Sequence, residues 1–190
     1  MRKLIEQAIK KSISVKEEVS KTEVENIEKA AQAIITSLLN GGKLFIFGNG
    51  GSAADSQHIA AELVGRFKVE RKPLPAIALT TNTSVLTAIA NDYGYDASFS
   101  RQIEALGTKG DVALGISTSG NSKNVIEALN KARVLGLKTI GLTGNDGGRI
   151  KGITDILINV ASKDTPAIQE SHTMIGHILC ELIESGILKK

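Results

Sequence analysis

Leu44-Phe45-Ile46-Phe47-Gly48-Asn49-Gly50-Gly51-Ser52 decides how the rest of this chain is read. Four consecutive apolar residues suit a strand buried on both faces, and the small residues that follow suit a tight turn into a helix. The pattern recurs at Val112-Ala113-Leu114-Gly115-Ile116, followed by Ser117-Thr118-Ser119-Gly120-Asn121-Ser122. A strand that ends in glycine and hydroxyl residues at a helix N-terminus makes an anion site, because backbone N–H groups, hydroxyls and the helix dipole face one oxygen-rich group. One hydroxyl at such a turn is an ordinary N-cap, but four within six residues exceed what capping needs. Two such turns imply a phosphate-bearing ligand lying across the carboxyl ends of the strands.

Outward from these turns, short apolar strands alternate with helical segments. Strands are predicted near 43–47, 75–80, 111–116, 137–142 and 155–160, and helices near 52–65, 83–91, 97–105, 122–135 and 164–186. This alternation specifies an α/β fold: a doubly wound, five-stranded parallel sheet flanked by helices on both faces. Ligands in such sheets bind at the carboxyl edge, at the topological switch point, and both turns fall there. An extra helical region runs from about Lys3 to Leu39, with Ile5, Ala8, Ile9, Ile13, Val15, Val24, Ile27, Ala31, Ile34 and Leu38 at helical spacing. A break is expected near Ser20–Thr22, where Thr22 and Glu25 resemble a capping box. Residues 1–40 are read as an oligomerisation element, with a cover for one face of the chain's own sheet as the equal alternative. Gly144-Asn145-Asp146-Gly147-Gly148 reads as a loop.

The 190 residues suffice for one well-buried core and not for two comfortable domains. A net charge of +3 and 3% aromatic residues leave little for a nucleic-acid surface. The charged clusters Arg66-Phe67-Lys68 and Glu70-Arg71-Lys72 are mild. No signal-like segment and no apolar run near the ~20 residues of a membrane span is present, so a cytoplasmic protein without a membrane partner is expected. The single cysteine, Cys180, excludes an intrachain disulfide and lies on the apolar face of the last helix, where a small buried hydrophobe is the simplest reading.

The first turn is superficially similar to a dinucleotide fingerprint, but the third glycine and the acidic residue after a second strand are missing, and no Gly-Lys-Ser/Thr P-loop exists. Candidate chemistry lies instead on two helices. His58 and Glu62 are four apart on one face, and Gln169 and His177 are eight apart, close to one face after two turns, while His172 points elsewhere. These four side chains suit either a metal site or proton transfer. Glu62 can take a proton from the carbon beside a carbonyl, His177 can serve as a second acid/base, and a divalent ion beside them would polarise the carbonyl. Asn91 and Asp92 are candidates for binding sugar hydroxyls, with a helix C-cap as the alternative.

The run Phe47-Gly48-Asn49-Gly50-Gly51-Ser52-Ala53-Ala54-Asp55-Ser56-Gln57-His58-Ile59-Ala60-Ala61-Glu62 resembles the start of a sugar isomerase (SIS) domain, and more narrowly that of the phosphoheptose isomerase family. Leu86-Thr87-Ala88-Ile89-Ala90-Asn91-Asp92, Gly115 to Ser122, and Ile168-Gln169-Glu170-Ser171-His172 continue the likeness, so that it covers essentially all of residues 1–190 as a single flavodoxin-like SIS domain. The resemblance implies conversion of sedoheptulose 7-phosphate to D-glycero-D-manno-heptose 7-phosphate, the step that opens the route to nucleotide-activated heptose for cell-surface glycans. It implies a phosphate held by Ser52, Ser117, Thr118, Ser119 and Ser122, and a sugar held by Asn49, Gly50, Gly51, Asn91 and Asp92. It further implies Glu62 as general base, His177 as opposing acid/base, and His58, Glu62, Gln169 and His177 as positions for one Zn2+ per subunit. Gln169 then also touches substrate. Homotetramers with shared active sites belong to the same implication. The chain departs from the family pattern at Ala167, where a basic residue is expected, and at Ser171, where a larger apolar residue is expected. The rival readings are a non-catalytic SIS-domain protein that binds a replication initiator, and a SIS module that senses a phosphosugar.

Overall fold

The computed structural model describes residues 1–188. In chain order the elements are α1 (Arg2–Thr22), α2 (Val24–Leu39), β1 (Leu44–Gly48), α3 (Gly51–Val64), β2 (Ala76–Ala78), α4 (Thr83–Tyr93), α5 (Ser100–Leu106), β3 (Val112–Ser117), α6 (Lys123–Val134), β4 (Lys138–Gly144), β5 (Ile156–Val160) and α7 (Thr165–Leu188). Single 3-10 turns at Tyr95–Ala97 and Gly148–Gly152 join them. All five strands pair in parallel in the order β2-β1-β3-β4-β5. The order reverses between β1 and β3, so the switch point lies where both small-residue turns leave the sheet.

Alternation along the strands sorts the core into two layers. Leu44 and Ile46 of β1, with Val112, Leu114 and Ile116 of β3, face Ile34, Ile59, Leu63, Ile175 and Leu179 from α2, α3 and α7. Phe45, Phe47 and Ala113 face the opposite way, onto Phe99, Ile103, Val125 and Leu129. Phe45 and Phe47 are fully buried, and each contributes about 1.5–3 kcal/mol of transfer free energy. The strands start on a shared anchor: the Asp111 carboxylate accepts from Lys43 N–H at 2.9 Å and Thr108 N–H at 2.8 Å and pairs with Lys43 Nζ at 2.8 Å. Burial opposes its charge, but these bonds outweigh burial and hold its pKa below the ordinary value.

Two sequence expectations change. The capping box at Thr22 does not form: Thr22 Oγ1 donates back to the Glu18 carbonyl, and the break falls at Glu23. Glu23 is buried, and its carboxylate accepts from Asn26 Nδ2 and from Asn159 N–H of β5, so tertiary bonding rather than a local cap sets the kink. The second strand spans only Ala76–Ala78, because Pro75 has no N–H to extend the ladder and the chain turns at Leu79–Thr80. From Val15 onward α1 packs on the chain's own core, whereas Leu4, Ile5, Ile9 and Ile13 are exposed. No helix among the described residues is long and apolar enough to cross a membrane.

Candidate active site

The second turn is an intact hydroxyl cradle. Ser122 is the N-cap residue of α6 yet makes no capping bond; its Oγ instead lies 2.9 Å from Ser117 Oγ. Ser119 Oγ is 3.4 Å from the same atom and accepts from Asn121 N–H at 3.2 Å. The excess of hydroxyls noted in the sequence is therefore not consumed by capping. Thr118 sits half-buried between them. Gly120 closes the turn at φ +66°, with its N–H on the Ser117 carbonyl.

At the first turn Gly50 precedes α3, which carries no side-chain cap, and Ser52 is buried in its opening turn. Asn49 and Asn124 exchange reciprocal amide hydrogen bonds of 2.9 Å, which tie the end of β1 to the first turn of α6. Tyr95 Oη donates to Asn49 Oδ1 at 3.0 Å. Asn91 and Asp92 are exposed on α4 and bond to one another, Nδ2 to Oδ1 at 2.8 Å. From this segment the reach to the β1 turn is made by Tyr95, which no periodicity or motif had marked.

Three of the four chemistry-bearing side chains, His58, Glu62 and His177, come together where α3 crosses α7, whereas Gln169 lies on Asp55 and Gly51, nearer the start of α3. Gly176 permits the crossing: a Cβ there would stand 3.0 Å from two carbons of the Ile59 side chain. The neighbouring residues, His58 and His177, then meet with their Nε2 atoms 2.8 Å apart, rings edge-on at 78°. Glu62 Oε1 lies 3.6 Å from His58 Nε2 and is a quarter exposed, so it remains reachable from solvent. Gln169 donates through Nε2 to Asp55 Oδ2, while its Oε1 lies against Gly51, where an added Cβ would be 2.9 Å away. Thr173 Oγ1 donates to the other Asp55 oxygen at 2.8 Å. Burial pushes the Asp55 carboxyl above its ordinary pKa, against the opposing pull of these bonds and of His58 and His177. Asp55 thus orients Gln169 and aims its amide oxygen at the first turn, a role that no sequence pattern signalled. Phe67 stacks on His177 at 5.7 Å and 23°.

The remaining candidates are structural. His172 is buried, with Nε2 on the Thr143 carbonyl at 2.9 Å and Nδ1 without a partner among the described residues, and burial lowers its pKa to about 4. Burial, with Glu62 nearby, raises the Cys180 thiol to about 12, so it is inert packing. Ala167 and Ser171 are buried one turn apart, with the Ser171 hydroxyl donating to the Ala167 carbonyl at 2.8 Å. Among the described residues no group of three or more His, Cys, Asp or Glu side chains is arranged as a metal site.

A parallel sheet with a hydroxyl cradle at its switch point, together with a carboxylate and two imidazoles gathered where α3 crosses α7, has the features of a sugar isomerase domain. The family profile of the SIS domain matches residues 8–144. A phosphoheptose isomerase of Aliarcobacter butzleri (strain RM4018) is 56% identical over 182 residues, covering 94% of this chain and 96% of the relative. Another, from Helicobacter pylori (strain P12), is 53% identical and covers 98% of this chain and all of its own length. The solved phosphoheptose isomerase of Neisseria gonorrhoeae superposes with a TM-score of 0.92 at 47% identity, over 97% of this chain and 98% of its own. The chain belongs to the phosphoheptose isomerase family of SIS-domain proteins, and is an isomerase.

Proposed function

We propose that this chain converts sedoheptulose 7-phosphate to D-glycero-D-manno-heptose 7-phosphate by proton transfer through an enediol(ate), the entry to nucleotide-activated heptose. The observation that carries this reading is the meeting of His58, Glu62 and His177 at the α3–α7 crossing, in a chain 53–56% identical to phosphoheptose isomerases. Ser52, Ser117, Thr118, Ser119 and Ser122 bind the 7-phosphate; Asn49, Gly50, Gly51, Asn91, Asp92 and Gln169 position the sugar. The reacting end of the phosphate-anchored sugar must lie at a helix crossing of this kind. Glu62 removes the C1 proton of the ketose, and the C–H electrons form the C1–C2 double bond as O2 gains a proton from His177. His177 then takes the O1 proton while Glu62 returns its proton to C2, giving the aldose.

We assign His58, Glu62, Gln169 and His177 as the residues that hold a Zn2+ ion. Two imidazoles and one carboxylate suit a first-row divalent cation, and the Gln169 amide, whose nitrogen is on Asp55 and whose oxygen lies against Gly51, would have to turn to complete the set. The 2.8 Å between the two Nε2 atoms is shorter than the roughly 3.3 Å expected of two nitrogens held by one tetrahedral zinc, so the two rings would have to part for both to hold the ion. Bound there, the ion supplies Lewis-acid polarisation of the substrate oxygens.

The same proposal places the enzyme in the cytoplasm and in a homotetramer with shared sites, residues 1–40 forming the assembly element of a single SIS domain. It is supported by the exposed Leu4, Ile5, Ile9 and Ile13 and by an apolar groove lined by Val19, Val24, Ile27, Met174, Ile178 and Leu182.

Incubation of the purified protein with sedoheptulose 7-phosphate, with and without a chelator, tests the reading. We expect the aldoheptose phosphate to form, at least ~10-fold more slowly after metal removal and again at full rate when zinc is restored. Absence of aldoheptose phosphate in every arm overturns the assigned reaction, and a rate indifferent to metal removal overturns the metal assignment.

A further inference from the structure

We propose that the buried Arg71–Glu184 ion pair positions the acid/base site, fixing both the end of α3 that carries Glu62 and the segment that lays Phe67 against His177. The proposal rests on the acid/base reading of Glu62 and His177 given above. Neither side chain of the pair touches the reacting centre, so each acts through the residues it holds.

Arg71 and Glu184 meet at 3.1 Å, Nε to Oε1, with side chains 2% and 3% exposed. A helix leaves its last carbonyls without partners, and α3 ends two residues beyond Glu62. Arg71 supplies those partners: Nη2 donates to the Glu62 carbonyl at 2.8 Å, and Nη1 to the carbonyls of Leu63 at 2.8 Å and Gly65 at 3.3 Å. A cation at a helix C-terminus is also favoured by the helix dipole. Glu184, two turns along α7 from His177, accepts N–H bonds from Phe67 at 3.1 Å, Lys68 at 2.8 Å and Val69 at 3.1 Å. Burial opposes the charge on Glu184, but these amides and Arg71 outweigh it and hold the carboxyl below its ordinary pKa.

The distribution of these bonds is what points beyond bulk stability. Apart from the contact between the two side chains, every hydrogen bond of the pair among the described residues ends on a backbone atom from residue 62 to residue 72. One end of that segment is Glu62, and Phe67 within it stacks on the His177 ring. A buried pair that loses one member leaves an uncompensated charge, so the segment moves when either is removed. The cradle at Ser117–Ser122 lies at the far end of the substrate and is untouched.

The test compares kcat and KM for sedoheptulose 7-phosphate in zinc-loaded protein. Arg71→Ala and Phe67→Leu are each expected to lower kcat by about 10–100-fold while KM changes by less than about twofold. Added guanidinium ion should restore much of the loss in Arg71→Ala and none in Phe67→Leu, a readout that general destabilisation would not give. If Arg71→Ala does not fold, Arg71→Lys with Phe67→Leu decides the matter by the same kcat–KM split. Wild-type kcat in the folded variants overturns the positioning role. Glu62→Gln, run alongside, separates the two failures. An active Glu62→Gln enzyme sinks the acid/base reading itself. An inactive one, beside unaffected Arg71 and Phe67 variants, sinks only the positioning role.

Discussion

Glu62→Gln is expected to lower turnover by about 10³-fold while sedoheptulose 7-phosphate still binds. The amide keeps the shape of the carboxylate and loses its ability to accept a proton from carbon. Glu62 lies on the last full turn of α3 with its backbone carbonyl held by Arg71, so the substitution leaves the helix in place. The phosphate cradle belongs to β3 and α6, which the change does not touch. Steady-state kinetics beside calorimetric titration with the substrate separates the two quantities. Turnover within a few-fold of wild type would show that another group removes the proton, and lost binding with lost turnover would make Glu62 a binding residue.

Gly120→Ala is expected to raise KM by about 10-fold or more and to lower Tm by about 4–12 °C. Two costs add here. Gly120 has φ +66°, where an L side chain is strained by roughly 1–2 kcal/mol, and its new Cβ would overlap the Gly147 carbonyl. Relief requires separating the Ser117–Ser122 turn from the loop after β4, and that motion splays the hydroxyls that face one another across the cradle. Thermal melts and Michaelis curves check both effects. An unchanged KM in a destabilised protein would mean that the cradle does not grip the substrate.

The fold was readable because its decisive signals are local. Five apolar runs and their flanking turn residues need no distant information, and the structure returns all five as parallel strands. The pairing of His58 with Glu62 was equally readable, since a four-residue spacing on a helix sets it. That His177 joins them depends on Gly176 admitting Ile59, a contact between residues 117 apart that periodicity does not encode. Asp55 looked like one more polar residue on α3, and its hold on Gln169 and Thr173 appears only once α7 is packed beside it. Arg71 lay in a mild charge cluster that reads as solvated surface, yet its guanidinium is among the least exposed charged groups in the fold. The Thr22 capping box failed for the converse reason. A sound local signal lost to the tertiary bonds of Glu23 with Asn26 and Asn159.

The most direct measurement is isomerisation in deuterium oxide, followed by NMR of the aldoheptose phosphate. A carboxylate that carries the proton from C1 to C2 exchanges it with solvent during the enediol's lifetime, so deuterium is expected at C2 of the product made by the wild-type enzyme, and none is expected to enter substrate or product with Glu62→Gln. Product that retains the substrate's hydrogen in full, or deuterium entering at the wild-type rate when Glu62 is replaced, would contradict proton transfer by Glu62 at the α3–α7 crossing.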